Sequence, residues 1–308
     1  MDNSSQKTLI AVCGPTAAGK TAIAVKLAGY FKTEIISADS RQFYREMEIG
    51  TAKPAPEELD LIPHHFINSH SIQDKISVAD FEQAAFQKIE DLFQLHNVVL
   101  VVGGSGLFLQ AIYQGLDNLP EVSADEREKW NALYQKFGLN FLQEQLQVYD
   151  PEYYKQVDLQ NPQRIIRALE VSSSNGKPFS SFLTKTKKQR PFKIIKLGIN
   201  PERLVLYNQI NLRVDEMVKK GLIKEALQLQ PYQHLNALNT VGYKELFEAF
   251  DKNIPVKEAI EKIKQNTRNF AKRQITWFKK DNEIVWFNSA ELDPILSFLC
   301  TNYNLPNF

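Results

Sequence analysis

The chain has 308 residues, 43% of them hydrophobic and 11% aromatic, which suffices for one large or two ordinary cores and excludes extended disorder. A formal charge of +1 excludes a globally basic nucleic-acid-binding protein, so any RNA or DNA contact has to come from local patches. Two cysteines, Cys13 and Cys300, make no disulfide framework, and the longest clean apolar run, Val98 to Val102, is too short to span a bilayer.

The N-terminal stretch MDNSSQKT carries an acid, no arginine and no long apolar segment, so neither a signal nor a transit peptide is read there and a soluble cytoplasmic protein is expected. Thr8 to Cys13 reads as a buried strand and Thr21 to Phe31 as an Ala-rich helix. Between them Gly14-Pro15-Thr16-Ala17-Ala18-Gly19-Lys20-Thr21 fits G-x-x-x-x-G-K-[ST] at every fixed position. Strand, loop and helix in that order make a phosphate-binding loop. The glycines let the backbone wrap an anion, and the helix N-terminus favours negative charge. Lys20 adds a cation, and Thr21 offers a hydroxyl to Mg²⁺. Whose phosphates are bound stays open at this point.

A second strand, Glu34 to Ser37, leads into Asp39-Ser40-Arg41-Gln42, which places Asp39 beside the phosphate loop. A carboxylate there suits a general base, an indirect Mg²⁺ partner or a helix cap. His64-His65 runs into Phe66-Ile67, which reads as a strand, and the five histidines show no zinc-site spacing. Ser77 to Leu95 reads as a helix with Val78, Phe81, Ala85, Ile89, Leu92 and Phe93 along one face. The next strand, Asn97 to Val102, ends in Gly103-Gly104-Ser105-Gly106 and not in the Mg²⁺-holding aspartate of an NTP-hydrolysing protein. That counts against an ordinary ATPase.

From about Asp117 to Arg190 strand signals vanish, and short helices separated by proline or asparagine breaks predict an inserted helical domain. Its last stretch, Thr184 to Arg190, carries only basic charge and links back to the core. Ile194 to Ile199 resumes the sheet, and Asn200-Pro201 reads as the cap and first turn of a helix. That helix bears Ile210, Val214, Met217 and Val218, with Arg213 beside the stripe. A final long helix, Pro255 to Lys280, contains Lys272-Arg273-Gln274 and precedes a strand at Ile284 to Phe287. Trp277, Phe278, Trp286 and Phe287 read as core. The alternation predicts an α/β fold: a parallel sheet flanked by helices, of the phosphate-loop NTPase kind, built from residues 1–116 and 192–308, with an all-helical insertion at 117–191.

Several blocks together resemble the tRNA dimethylallyltransferase family: Gly14–Thr21, SADSRQFY at Ser37–Tyr44, IGTAKP at Ile49–Pro54, GGSGLFLQ at Gly103–Gln110, NPQRIIRALEV at Asn161–Val171, VGYKE at Val241–Glu245 and FAKRQITWF at Phe270–Phe278. They fall in the family's order and span most of the chain. The resemblance implies transfer of the dimethylallyl group from dimethylallyl diphosphate to the N6 amine of the adenosine 3′ of the anticodon, in tRNAs reading codons that begin with U. By this resemblance the phosphate loop holds an isoprenoid diphosphate, with Lys20, Arg213 and Mg²⁺ on Thr21 stabilising it. Asp39 becomes the base that takes the amine proton, and Ser105 orients the reacting groups. The implied RNA contacts are Asp39, Ser40, Arg41, Gln42, Ser105, Arg127, Gln163, Arg164, Ile165, Ile166, Arg167, Tyr243, Lys244, Arg268, Lys272, Arg273 and Gln274. The sequence departs from the family in having Ser105 for the usual threonine and Phe108 for the usual tyrosine; the first keeps the hydroxyl and the second leaves Phe108 a packing role. No membrane partner is expected, and a monomer is.

Three other readings remain beside it. A small-metabolite kinase accounts for the first half of the chain but not for the basic helix. A prenyltransferase acting on free AMP or ADP shares the diphosphate chemistry without needing the insertion. A non-enzymatic RNA-binding module with a relic loop has no use for Lys20, Thr21 and Asp39 together.

Overall fold

The structure, a computed structural model, describes residues 6–184, 186–303 and 305. The first five residues of the N-terminal reading, and Lys185 of the basic link, lie outside the described residues. The chain divides into two compact units. One is the chain up to Gln114 together with that from Gln189 onward; the other is Gly115–Lys188, against 117–191 expected from sequence.

The first unit opens with β1 (Thr8–Cys13), α1 (Lys20–Phe31), β2 (Ile35–Ser37), α2 (Pro56–Leu61), β3 (His64–His65), α3 (Val78–Leu95), β4 (Val98–Gly103) and α4 (Gly106–Gln114). The second unit holds α5 (Ala124–Tyr149), α6 (Pro151–Tyr154) and α7 (Pro162–Asn175). The first then resumes with β5 (Lys193–Ile199), α8 (Arg203–Lys220), α9 (Leu222–Leu229), α10 (Tyr243–Lys252), α11 (Val256–Phe278), β6 (Ile284–Phe287) and α12 (Leu292–Tyr303).

Among the described residues six strands form one parallel sheet in the order β3-β2-β4-β1-β5-β6. Both faces are covered, which is why β1 and β4 are apolar without alternation. Ile10 and Val12 pack on one side with α1, α8 and α12; Leu9, Ala11 and Cys13 pack on the other with α3 and α4. A third apolar cluster joins α8, α9, α10 and α11 to Tyr44, Met47 and Ile72. The start of α3 is set by a reciprocal cap: the Asp80 N–H donates to Ser77 Oγ, and the Ser77 N–H to Asp80 Oδ2. Among the described residues no helix is long and apolar enough to cross a membrane.

Three local expectations need correction. The strand expected at Phe66-Ile67 is instead the two-residue β3, because Phe66 and Asn68 both take positive φ and turn the chain away. Asn200-Pro201 do not cap α8; the Asn200 N–H donates to Phe287 O across the sheet, and Glu202 precedes the helix. In the second unit the short helices expected after residue 117 are replaced at first by the long α5, interrupted only where Gly138 adopts φ 78°. Its core is Trp130, Leu142, Leu146, Ile165, Ile166 and Leu169.

Candidate active site

The carboxyl ends of β1, β2 and β4 are neighbours, and each supplies one part of the site, as expected of an open parallel sheet. After β1 the chain crosses the end of β5 so closely that a Cβ on Gly14 would lie 2.3 Å from Ile199 O. Gly14 also has φ 140°, a backbone state that excludes other residues. Ala17 (φ 63°) and Gly19 (φ 84°) curl the loop into a concave nest, and α1 begins without a side-chain cap, so its first N–H groups face an anion site.

Lys20 Nζ donates to Pro15 O at 2.6 Å and so lies folded over its own loop. Enclosure, and then the charge of Arg213, push its pKa down to about 8, with Asp39 opposing. Arg213 arrives from α8 and reaches Thr16 Oγ1 and Ala52 O, both at 3.4 Å. Burial lowers its pKa, while Asp39 and Glu216 counter that loss. Two enclosed cations against one carboxylate make a site that lacks negative charge. A bound anion would supply it.

Asp39 and Ser105 belong to loops that hold one another. The Ala38 N–H donates to Val102 O at 2.7 Å, and a Cβ on Gly103 would come within 2.3 Å of Ala38 O. The Ser40 N–H donates to Ser105 Oγ at 3.2 Å, and the Arg41 N–H to Asp39 Oδ1 at 3.0 Å. Thr16, Lys20, Thr21, Asp39, Ser105 and Arg213 all line one cavity of about 650 Å³, within the ~300–1,000 Å³ of small-molecule sites. The rest of its wall mixes aromatic side chains, Phe108, Phe270 and Trp277, with polar and cationic ones such as Lys244 and Arg273. The hydroxyl of Thr21 and the carboxylate of Asp39 are hard oxygen donors in this cavity. They would suit a hard divalent cation such as Mg²⁺, which keeps several of its own waters.

The residues expected to touch RNA separate into two groups. Gln163, Arg164, Lys244, Lys272 and Arg273 are exposed, and Arg273 also lines the cavity. Arg127 and Arg167 reach the surface of the second unit from either side of the buried Glu170, at 2.9 and 2.6 Å. Ser40 is half-buried, and Arg268 is tied to Asn211 Oδ1.

Ile165 and Ile166 are corrected: both are core residues of the second unit, turned inward by the helical period of α7. Tyr243 is fully buried, with its hydroxyl donated to Glu225, and so offers RNA no surface. Gln42 is buried too and bonds Ser37 Oγ, Thr51 O and Ala52 O. Arg41 spends its guanidinium on the carbonyls of Asn236, Ala237 and Asn239. Gln274 faces inward and bridges two loops of the site.

Sequence reasoning missed two acids. Glu225 accepts the N–H groups of Glu48, Ile49 and Gly50 and the hydroxyl of Tyr243, fixing the loop that carries Ala52. Glu170 organises two surface arginines. A glutamate on an otherwise apolar face, as in RALEV, was the available signal for Glu170; Glu225 had none. Trp277 packs against the core as expected and also lines the cavity, and its indole comes within 2.2 Å of where a Cβ on Gly106 would be.

The sequence model of the IPP transferase family matches residues 42–281. A tRNA dimethylallyltransferase of Christiangramia forsetii is 53% identical over 283 residues, covering 92% of this chain and 94% of that protein. A crystal structure of the full-length tRNA isopentenylpyrophosphate transferase from Bacillus halodurans superposes with a TM-score of 0.70 at 35% identity, covering 96% of this chain and 94% of the other. A eukaryotic dimethylallyltransferase, described as acting on tRNA, superposes with a TM-score of 0.77 at 25% identity, over 97% of this chain and 77% of its own. With its phosphate loop, Asp39 and Ser105 gathered at three adjoining strand ends and more than nine-tenths of its length matched by such relatives, this chain belongs to the tRNA dimethylallyltransferase family.

Proposed function

We propose that the protein moves a dimethylallyl group from dimethylallyl diphosphate to the N6 amine of the adenosine 3′ of the anticodon of tRNA, in the cytoplasm and as a monomer. The observation that carries this reading is the placement of the enclosed cations Lys20 and Arg213 beside the Asp39 carboxylate in a single cavity, which Arg41, Lys244 and Arg273 also line. A nucleotide-hydrolysing site has another arrangement, with an aspartate where this chain has Gly103-Gly104-Ser105. One chain supplies every group the reaction uses, which supports a monomer, and unpaired cysteines suit the cytoplasm.

In the transfer the bond between the allylic carbon and the diphosphate oxygen breaks, and a bond from that carbon to N6 forms. Negative charge grows on the departing diphosphate, where Lys20, Arg213 and the loop N–H groups offset it. N6 gives up one proton as it is alkylated, and the Asp39 carboxylate accepts it. Ser105 Oγ, fixed by the Ser40 N–H, orients the acceptor. Mg²⁺, carried with the diphosphate and held by Thr21, would add further charge neutralisation. Lys244, Lys272 and Arg273 reach the RNA phosphates, and the target adenine leaves its stack to enter the cavity.

The test is a transfer assay with labelled dimethylallyl diphosphate and, in separate arms, an anticodon stem-loop RNA, free AMP, and ATP with candidate small acceptors. Label is expected on the RNA. Label on AMP alone would assign the protein to free-nucleotide prenylation.

A pH dependence follows from Lys20. The bound anion favours the ammonium form, so diphosphate affinity is highest while Lys20 is already charged and declines once free Lys20 loses its proton. Calorimetric titration with inorganic pyrophosphate from about pH 7 to about pH 9.5 should show affinity weakening above a break near pH 8, with proton uptake on binding there. A flat profile would mean that Lys20 stays fully charged in the free protein.

A further inference from the structure

The inward face of α11 is apolar at Ala271 and Phe278, yet between them it carries Gln274, only 7% exposed. A buried amide needs a partner at both ends. The Thr16 N–H donates to its Oε1 at 2.9 Å, and its Nε2 donates to Gly104 O at 2.9 Å. One partner can only donate and the other can only accept, which fixes the orientation of the amide. Thr16 lies in the phosphate loop, and Gly104 directly precedes Ser105. The amide lies close against the turn: a Cβ on Gly104 would stand 2.5 Å from Gln274 Nε2 and would displace it.

We infer that Gln274 is a positioning residue that sets the spacing between the phosphate loop and the Ser105 turn, and with it the distance from leaving group to acceptor, without touching RNA. The inference rests on the prenyl-transfer reading. The Thr16 N–H, which a phosphate loop would otherwise turn toward an anion, is held by the protein, so the loop keeps its shape before any diphosphate arrives. The same helix presents Lys272 and Arg273 outward. RNA contact and loop bracing therefore fall to different residues of one helix, the exposed Lys272 and Arg273 and the buried Gln274, and a substitution at 274 separates them.

The experiment compares wild type, Q274N and Q274M as full-length proteins. Asparagine keeps a buried amide but is one methylene too short to span both partners; methionine fills the space with neither bond. Each is measured for thermal unfolding, affinity for an anticodon stem-loop RNA, and single-turnover transfer with both substrates saturating. Both variants are expected to keep RNA affinity while transfer falls about 10–10²-fold, the cost of misplacing reacting groups by about 1 Å. Should Q274M not fold, Q274N carries the test.

Weakened RNA binding with transfer at saturation intact would make Gln274 an RNA contact and overturn the inference. Unchanged transfer in the folded variants would overturn it as well. A wild-type protein that transfers nothing to RNA would instead overturn the prenyl-transfer reading on which it rests.

Discussion

Replacing Asp39 by asparagine is expected to lower single-turnover transfer by about 10²-fold or more, the usual contribution of a positioned general base. Diphosphate binding should survive. Asp39 is the carboxylate that faces Lys20 and Arg213, and it favours the charged form of both. Removing its charge leaves the cavity more positive, which favours an anion, but also pulls the Lys20 pKa further below about 8. The signature is therefore twofold. Transfer collapses, and the pH break in pyrophosphate binding moves down. Asparagine retains the acceptor for the Arg41 N–H, so the loop itself should hold. Unchanged turnover in the variant would remove Asp39 from the chemistry and leave it the electrostatic partner of the two cations.

What the sequence made legible was local. The phosphate loop, its flanking strand and helix, and the glycine turn after β4 are each contiguous, and their residue types are dictated by their own backbone. Gly14 is a glycine because of φ 140° and the nearness of Ile199 O. Contiguity misled where a motif was taken as a unit. Along α7 the outward residues Gln163, Arg164 and Arg167 alternate with the inward Ile165 and Ile166, and a helix cannot turn five consecutive side chains one way. Tyr243 and Lys244 are likewise adjacent, one buried and one exposed. The long-range partners were invisible, because nothing near Gln274 or Glu225 marks a bond to Thr16 or to Gly50 far away in the chain. Periodicity alone showed Arg213 as a cation beside an apolar stripe; only the family resemblance put it at the phosphate loop, where α8 brings it to Thr16.

Arg213→Ala should lower transfer at saturating substrates by about 10²–10³-fold, the size of effect seen when one donor to a developing anion is removed. Its second consequence runs opposite to that of Asp39→Asn. The charge of Arg213 is the second cause of the depressed Lys20 pKa, after burial. Without it Lys20 loses a like-charged neighbour, so its pKa climbs back toward the ordinary lysine range. Pyrophosphate affinity then drops at neutral pH, yet persists to higher pH than in the wild type. Arg213→Lys restores charge but not the fork that spans Thr16 Oγ1 and Ala52 O, and should recover the low Lys20 pKa better than it recovers transfer. Titrating the three variants with pyrophosphate against pH separates the roles. A downward shift for the asparagine variant and an upward one for the alanine variant identify Lys20 as the group being read; shifts of the same sign in both would place the break on another residue.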